Sequence, residues 1–504
     1  MFIDARSVPD GERLDADIAI VGAGAAGLSL AIALEGAGLN VALIESGGLE
    51  WSEEAQDLAA GELGPQVYAT PETVRLRYFG GTTGHWGGWC RELDGVDFEK
   101  RDFVNLSGWP IAKSDLAPFY KRAQDILHLG AARYDDSEGI AALAGAKLPI
   151  PRDSDIEPVL FEFSPPIRMG EVYRGLIDKS DTRCFLNATV SDIRVSDDAK
   201  SVTALTIARD GGAPVTMNVR HAVLACGGLS NAQMMLNADT QVAGGLGNGT
   251  GQVGRYFADH PILIGYAAVL SFGPEAGEAF ATSDISAGGR RYRLAFQPRE
   301  DYRRAQKRLS CLATIEPGGP SFSNGAFDRW ETRWFGQSET AVALAALGKP
   351  GWTPRIHMLN AGLETRPDPE SRVTLTGTRD RHGVRRLKVD WKLNDADLED
   401  YLANLADLGR ALSASGAGLV RIAPDARERW PGETNWGHHN MGTTRMGADA
   451  ATSVCDGEAR VHGMANLWIA GSSLYTTPGA ANPTLTLVAL ALRLAETLKR
   501  EAHA

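Results

Sequence analysis

One run near the start constrains this chain more than any other: Asp17-Ile18-Ala19-Ile20-Val21 leads straight into Gly22-Ala23-Gly24-Ala25-Ala26-Gly27. The short apolar, β-branched run predicts a buried parallel strand. The G-x-G-x-x-G pattern predicts a tight turn into a helix, read from Leu28 to Gly36, and a second strand, Asn40 to Ile44, ends in Glu45. Each glycine has a physical task. Gly22 permits the turn, Gly24 lets backbone approach a pyrophosphate, and Gly27 lets helix and strand pack closely. The free N–H groups at the helix start then face the phosphates. Glu45 falls about 20 residues past the first glycine, where a carboxylate accepts hydrogen bonds from ribose hydroxyls and repels a 2′-phosphate, which disfavours NADP. The motif alone does not separate FAD from NAD.

The chain has 504 residues, too many for one ordinary core, so two or more lobes are expected. With 43% hydrophobic and 23% charged residues it reads as globular and not as disordered. A net charge of −12 argues against a nucleic-acid partner. Cys90, Cys184, Cys226, Cys311 and Cys455 include no CxxC pair, which speaks against a disulfide framework, a cysteine zinc site or haem attachment; no metal is expected. The first seventeen residues lack the shape of a secretory signal. The apolar stretch Ile18 to Ile44 is broken by Glu35 and by glycines. A cytoplasmic protein with no direct membrane span is the expectation.

Gly80-Gly81-Thr82-Thr83-Gly84-His85-Trp86-Gly87-Gly88-Trp89-Cys90 is a second glycine cluster, suited either to backbone packed against a flat ligand or to a surface loop. Ser114 is expected to cap a helix running to Gly130. Three short runs, Val190 to Val195, Val202 to Ile207 and Val215 to Val219, predict a β-meander. His221 to Gly228 then reads as a further buried strand ending in a glycine turn at Ala225-Cys226-Gly227. Residues 261 to 430 form a block richer in Arg and Trp, in which Gly318 to Gln337 reads either as an aromatic lid or as a packed loop. Asn394 to Ser413 carries Leu398, Tyr401, Leu402, Leu405, Leu408, Ala411 and Leu412 on one face, a core-packing helix.

The last seventy residues hold the sharpest chemistry. Gly437-His438-His439-Asn440-Met441-Gly442-Thr443 sets two histidines before a glycine turn. The strand Ala465 to Gly471 follows, then a loop from Ser472, and Asn482-Pro483-Thr484 opens a final helix, Leu485 to Leu498. A histidine is the natural general base near neutral pH, and an asparagine amide donates to a substrate oxygen. Taken singly, either histidine is more often a structural one.

In combination these segments, with Val253 to Pro261 (Val-Gly-Arg-Tyr-Phe-Ala-Asp-His-Pro), resemble the glucose–methanol–choline (GMC) oxidoreductases, FAD enzymes that oxidise alcohols. Gly-Gly-Thr-Thr-Gly-His-Trp and Gly-Ala-Ala-Asn-Pro-Thr-Leu-Thr look most like the pyranose-oxidase and glycoside 3-oxidase branch. Gly471 departs from the Asp of many members, which puts that residue's contact with the ribityl chain in doubt.

The resemblance implies an α/β FAD-binding domain, a Rossmann-like parallel sheet plus β-meander, from 1–260 and 436–504. An inserted α+β substrate domain on a mostly antiparallel sheet takes 261–435, with parts of 65–165 adding loops. It assigns His439 and Asn482 as the catalytic pair. It places Gly22, Gly24, Ala25, Ala26, Gly27, Glu45, Ser46, Gly81, Thr82, Thr83, His85, Trp86, Gly87 and Gly88 on FAD. To these it adds Val190, Ala225, Cys226, Gly227, Gly471, Ser472, Asn482, Pro483 and Thr484. In some members the residue at His85 bonds covalently to the flavin and in others FAD is non-covalent, so both attachments stay open. The implied activity is oxidation of a sugar or glycoside hydroxyl to a carbonyl. A non-sugar (aromatic or benzylic) alcohol and a non-redox FAD protein are the alternatives. A small dehydrogenase or cytochrome partner and a homo-oligomer also stay open.

Overall fold

The computed structural model describes residues 1–66, 68–144, 148–150, 153–271, 280, 284–316 and 355–503. The segment Gly318 to Gln337, read from sequence as a lid or packed loop, lies outside the described residues.

The opening motif folds as its pattern dictates. Strand β1 (Arg13–Val21) enters the glycine turn, helix α1 (Ala25–Leu34) leaves it, and β2 (Val41–Ile44) pairs parallel to β1. The helix starts earlier than the expected Leu28, because Gly24 already serves as its N-cap. A Cβ on Gly27 would meet the Gly22 carbonyl oxygen at 1.8 Å, so the close packing expected there is an absolute requirement.

On the other side of β1 lies β3 (Val215–Leu224), parallel to β1 along nearly its whole length. Sequence reading divided this stretch at Arg220. The chain makes one continuous strand instead, because alternation of buried residues runs unbroken through Val219, His221 and Val223. Its first half pairs antiparallel with Val202–Ala208, which pairs with Thr189–Val195, giving the expected meander. Its second half accepts β4 (Leu467–Ile469) in parallel. With Arg183–Leu186 and Phe2–Asp4 beyond β2, the sheet has eight strands. Helix α2 (Gly227–Asn237) follows β3 directly.

Helix α1 packs on this sheet, the C-terminal helix Thr484–His503 packs on α1, and the helix Lys113–Ile126 packs on the C-terminal helix. Ile18, Ile20, Leu224, Leu485, Val488 and Leu492 lie in one core. Burying one such side chain is worth about 1.5–3 kcal/mol. Ser114 does not cap the helix Lys113–Ile126. Asp115 competes successfully, since its carboxylate accepts from the Ala112 N–H at 2.8 Å.

A second sheet of nine strands is antiparallel throughout its recorded pairings, and it carries the α+β character expected of the substrate lobe. The helix Asp395–Ala414 covers it, burying every apolar residue of the anticipated stripe, with Asn394 capping its start. Trp89–Cys90 and Ile156–Phe163, from the region expected to add loops to the substrate lobe, enter this sheet as paired strands. The pairing of Asn435–Trp436 with Pro261–Ile262 sets residues 259–260 beside residues 437–439. Among the described residues no helix is long and apolar enough to cross a membrane.

Candidate active site

A cavity of about 380 Å³ opens where the glycine turn, the Gly80–Gly88 segment, the start of α2 and the C-terminal loops converge. Every residue that sequence reading placed on FAD or on catalysis lines it, with Gly27 as the exception. Gly27 sits behind the turn and serves packing.

Glu45 is buried at the end of β2. Its Oε2 accepts from the Ala23 N–H at 3.0 Å, and Oε1 accepts from the Gly47 N–H at 3.0 Å and the Ser46 hydroxyl at 3.1 Å. Burial raises its pKa, against these donors. Glu45 therefore also ties the glycine turn to β2, a task that sequence did not show. Oε1 has both lone pairs engaged, and Oε2 keeps one for a ribose hydroxyl.

Among the cavity residues that sequence reading missed are two arginines. Arg75 is buried, and its guanidinium donates to the Ser230 hydroxyl at 2.7 Å, to Gln233 Oε1 at 3.3 Å and to the backbone carbonyls of Pro71 and Ala59. Arg77, half-buried, donates to the Ser46 hydroxyl at 3.3 Å. Among the described residues neither makes an ion pair with a carboxylate. Burial lowers both pKa values, that of Arg75 to about 9. Two cations held without carboxylate partners, beside a helix N-terminus, fit an anionic dinucleotide. No motif announces them, because an arginine's missing partner is not visible in a sequence.

At the other end of the lining, Asn482 Nδ2 lies 3.1 Å from His439 Nε2. The other nitrogen of that ring, Nδ1, lies 2.9 Å from Nδ1 of His260. Asp259, fully buried, accepts from the backbone N–H of His439 at 2.9 Å, of His260 at 2.6 Å and of Gly437 at 3.2 Å. The Tyr68 hydroxyl donates to its second oxygen at 2.5 Å. Withdrawal from bulk water, reinforced by His260 and His438, holds His439 well below the ordinary imidazole range. Burial pushes His260 down to about 4 and Asp259 up to about 6. His85 and His438 are more exposed and also line the cavity, and partial burial lowers both.

A dinucleotide cradle and a neutral histidine–asparagine pair on one cavity define an FAD-dependent oxidoreductase acting on CH–OH donors. The chain belongs to the GMC oxidoreductase family. Residues 367–491 match the family model described as GMC oxidoreductase, and residues 17–256 match that of FAD dependent oxidoreductase. It is similar to 6'''-hydroxyparomomycin C oxidase of Streptomyces lividus, 24% identical over 95% of this chain and 90% of that one. It is also 25% identical to 2-methyl-1,2-propanediol dehydrogenase of Mycolicibacterium austroafricanum, over 96% and 95% of the two chains. Pyranose 2-oxidase of Tricholoma matsutake and C-glycoside 3-oxidase of Arthrobacter globiformis match 26% of this chain each, at 33% and 34% identity. The solved structure of pyridoxine 4-oxidase from Mesorbium loti shares the fold, with a TM-score of 0.61 at 16% identity over 96% of this chain and 99% of that one.

Proposed function

We propose that this enzyme oxidises a hydroxyl of a sugar or glycoside to a carbonyl, with His439 as general base and Asn482 as the partner of the substrate oxygen. The observation that carries the proposal is the 3.1 Å approach of Asn482 Nδ2 to His439 Nε2 on the wall of the dinucleotide cavity. A hydroxyl entering there meets one acceptor for its proton and one donor for its oxygen.

FAD, when bound, supplies the acceptor for the hydride. The chain does the rest. Gly22, Gly24 and the start of α1 offer backbone to the pyrophosphate, while Arg75 and Arg77 offset its charge. His439 Nε2 takes the hydroxyl proton, and the Asn482 amide steadies the negative charge developing on that oxygen. General-base help of this kind is worth about 10²–10⁴ in rate.

The sugar assignment is supported by the pyranose- and glycoside-oxidase likeness of residues 80–86 and 479–486, and by Trp86 and Trp89, whose faces suit a pyranose ring, on the cavity. The likeness to a propanediol dehydrogenase favours a non-sugar alcohol as the second reading. An anaerobic screen of sugars, glycosides and non-sugar alcohols, read as bleaching of the yellow cofactor, separates the two. His439→Ala should keep FAD and lose the bleaching. Bleaching at the wild-type rate in that variant would remove His439 from its role. A spectrum unchanged by every alcohol would favour a non-redox use of FAD, and reoxidation by oxygen against a quinone identifies the electron acceptor. Acid precipitation tests His85: flavin that stays with the pellet is covalently held.

A further inference from the structure

The Asp259-His260-Pro261 motif, which the cofactor and the catalytic pair leave without a task, meets His439 from behind. We propose that His260 is a positioning residue that decides which nitrogen of His439 carries the proton, keeping Nε2 free as the base. The proposal rests on the reading of His439 as general base and specifies how that base is prepared.

The argument is one of proton counting. Two ring nitrogens 2.9 Å apart, His260 Nδ1 and His439 Nδ1, need one proton and one lone pair between them. The far nitrogen of His260, Nε2, faces the backbone carbonyl of Pro478 at 3.5 Å, and a carbonyl can only accept. His260 is neutral at neutral pH, so its single proton belongs on Nε2 and its Nδ1 is a lone pair. His439 must then donate from Nδ1. Being neutral as well, it has no second proton, and Nε2 is left with a lone pair facing the Asn482 amide. The opposite assignment would set a nitrogen lone pair against the Pro478 oxygen.

The groups packed around the two rings agree with this order. Asp259 directs its oxygens to three backbone N–H groups and to Tyr68, and to neither imidazole ring. His438 approaches from the catalytic loop, and Glu364 acts on His260 only through its charge. No carboxylate is hydrogen-bonded to either ring among the described residues. That distinction matters. A carboxylate behind a catalytic histidine orients it and also raises its pKa. A neutral imidazole orients the ring and fixes its tautomer without favouring the charged form, so the base stays unprotonated.

The test compares His260→Leu, which removes the acceptor, with His260→Asn, whose amide oxygen can replace Nδ1. Histidine-selective nitrogen-15 NMR of the FAD-loaded enzyme, with His439→Gln locating the His439 signals among the 10 histidines, reads the tautomer directly. Wild type and His260→Asn should show an unprotonated Nε2 on His439, and His260→Leu a protonated one. Anaerobic flavin reduction should fall about 10²-fold or more in His260→Leu at unchanged FAD content, and recover to within about 10-fold in His260→Asn. Should His260→Leu not fold, the wild-type and His260→Asn spectra decide the matter. A protonated Nε2 in the wild type overturns the proposal, as do equal losses in the two variants. If no alcohol is oxidised, the spectra still judge the tautomer, so failure of the functional reading is separable from failure of this one.

Discussion

A Cβ placed on Gly437 would stand 2.5 Å from Nδ1 of His439 and 3.2 Å from Oδ1 of Asp259. The His439 ring is seated directly on glycine backbone, with its other ring nitrogen aimed at Asn482. Space for the imidazole is thus provided by an absent side chain.

Gly437→Ala should therefore displace the His439 ring from its seat and spoil its alignment with Asn482, while leaving the distant nucleotide end untouched. A displacement near 1 Å at a reacting group costs about 10²-fold in rate. The expected result is normal FAD content with flavin reduction slowed by about that factor. Wild-type reduction kinetics in the alanine variant would show that the ring has room to relax.

The pH profile offers a second check. In the role proposed for it, a protonated His439 cannot take the substrate proton, so activity should be lost as pH falls through its pKa. Withdrawal from water, with His260 and His438 adding to it, places that pKa well below the ordinary 6.5. Flavin reduction at saturating substrate should accordingly be level from pH 6.5 upward, with its acid limb below that value. An acid limb above pH 6.5 would mean that an anion faces the ring after all.

The motifs that line the cavity were legible in sequence because each is local: Gly22 to Gly27 with Glu45, His438-His439, and Asn482-Pro483. What brings them together is not. His260 and His439 are 179 residues apart, and the pairings of Pro261 with Trp436 and of Ala258 with Met441 make them neighbours. Arg75 and Arg77 escaped notice for a related reason, since their significance lies in ion pairs that, among the described residues, they do not make. The misplaced cap at Ser114 and the division at Arg220 came from reading one residue without the competitor next to it, Asp115 in one case and the continuing buried alternation in the other.

Arg77 gives a prediction about the cofactor. Among the described residues its guanidinium makes one hydrogen bond, to Ser46, so Arg77→Gln removes charge while unpairing little. Charge-assisted hydrogen bonds contribute about 1.5–3 kcal/mol. FAD affinity should fall about 10- to 100-fold, and the rise in melting temperature on adding FAD to the apoprotein should shrink, with the apoprotein's own melting temperature little changed. Unaltered FAD affinity would remove Arg77 from the phosphate environment.

A last prediction concerns the contact that joins the segment before the helix Lys113–Ile126 to the second sheet. Arg101 and Glu364 form a buried bidentate ion pair, and Glu364 Oε2 also accepts from the Ser310 N–H at 3.0 Å. The Arg101 guanidinium holds the Glu364 carboxyl below its ordinary value against the cost of burial. Glu364→Gln keeps an acceptor for Ser310 but leaves Arg101 charged and uncompensated, which costs about 3–5 kcal/mol. Arg101→Met alone strands the carboxylate and should cost a similar amount. The double variant Arg101→Met/Glu364→Gln strands no charge, so it should be more stable than either single variant by urea unfolding of the holoenzyme. Additive losses in the double variant would show that the two side chains are not coupled, and that each stabilises the fold through its other neighbours.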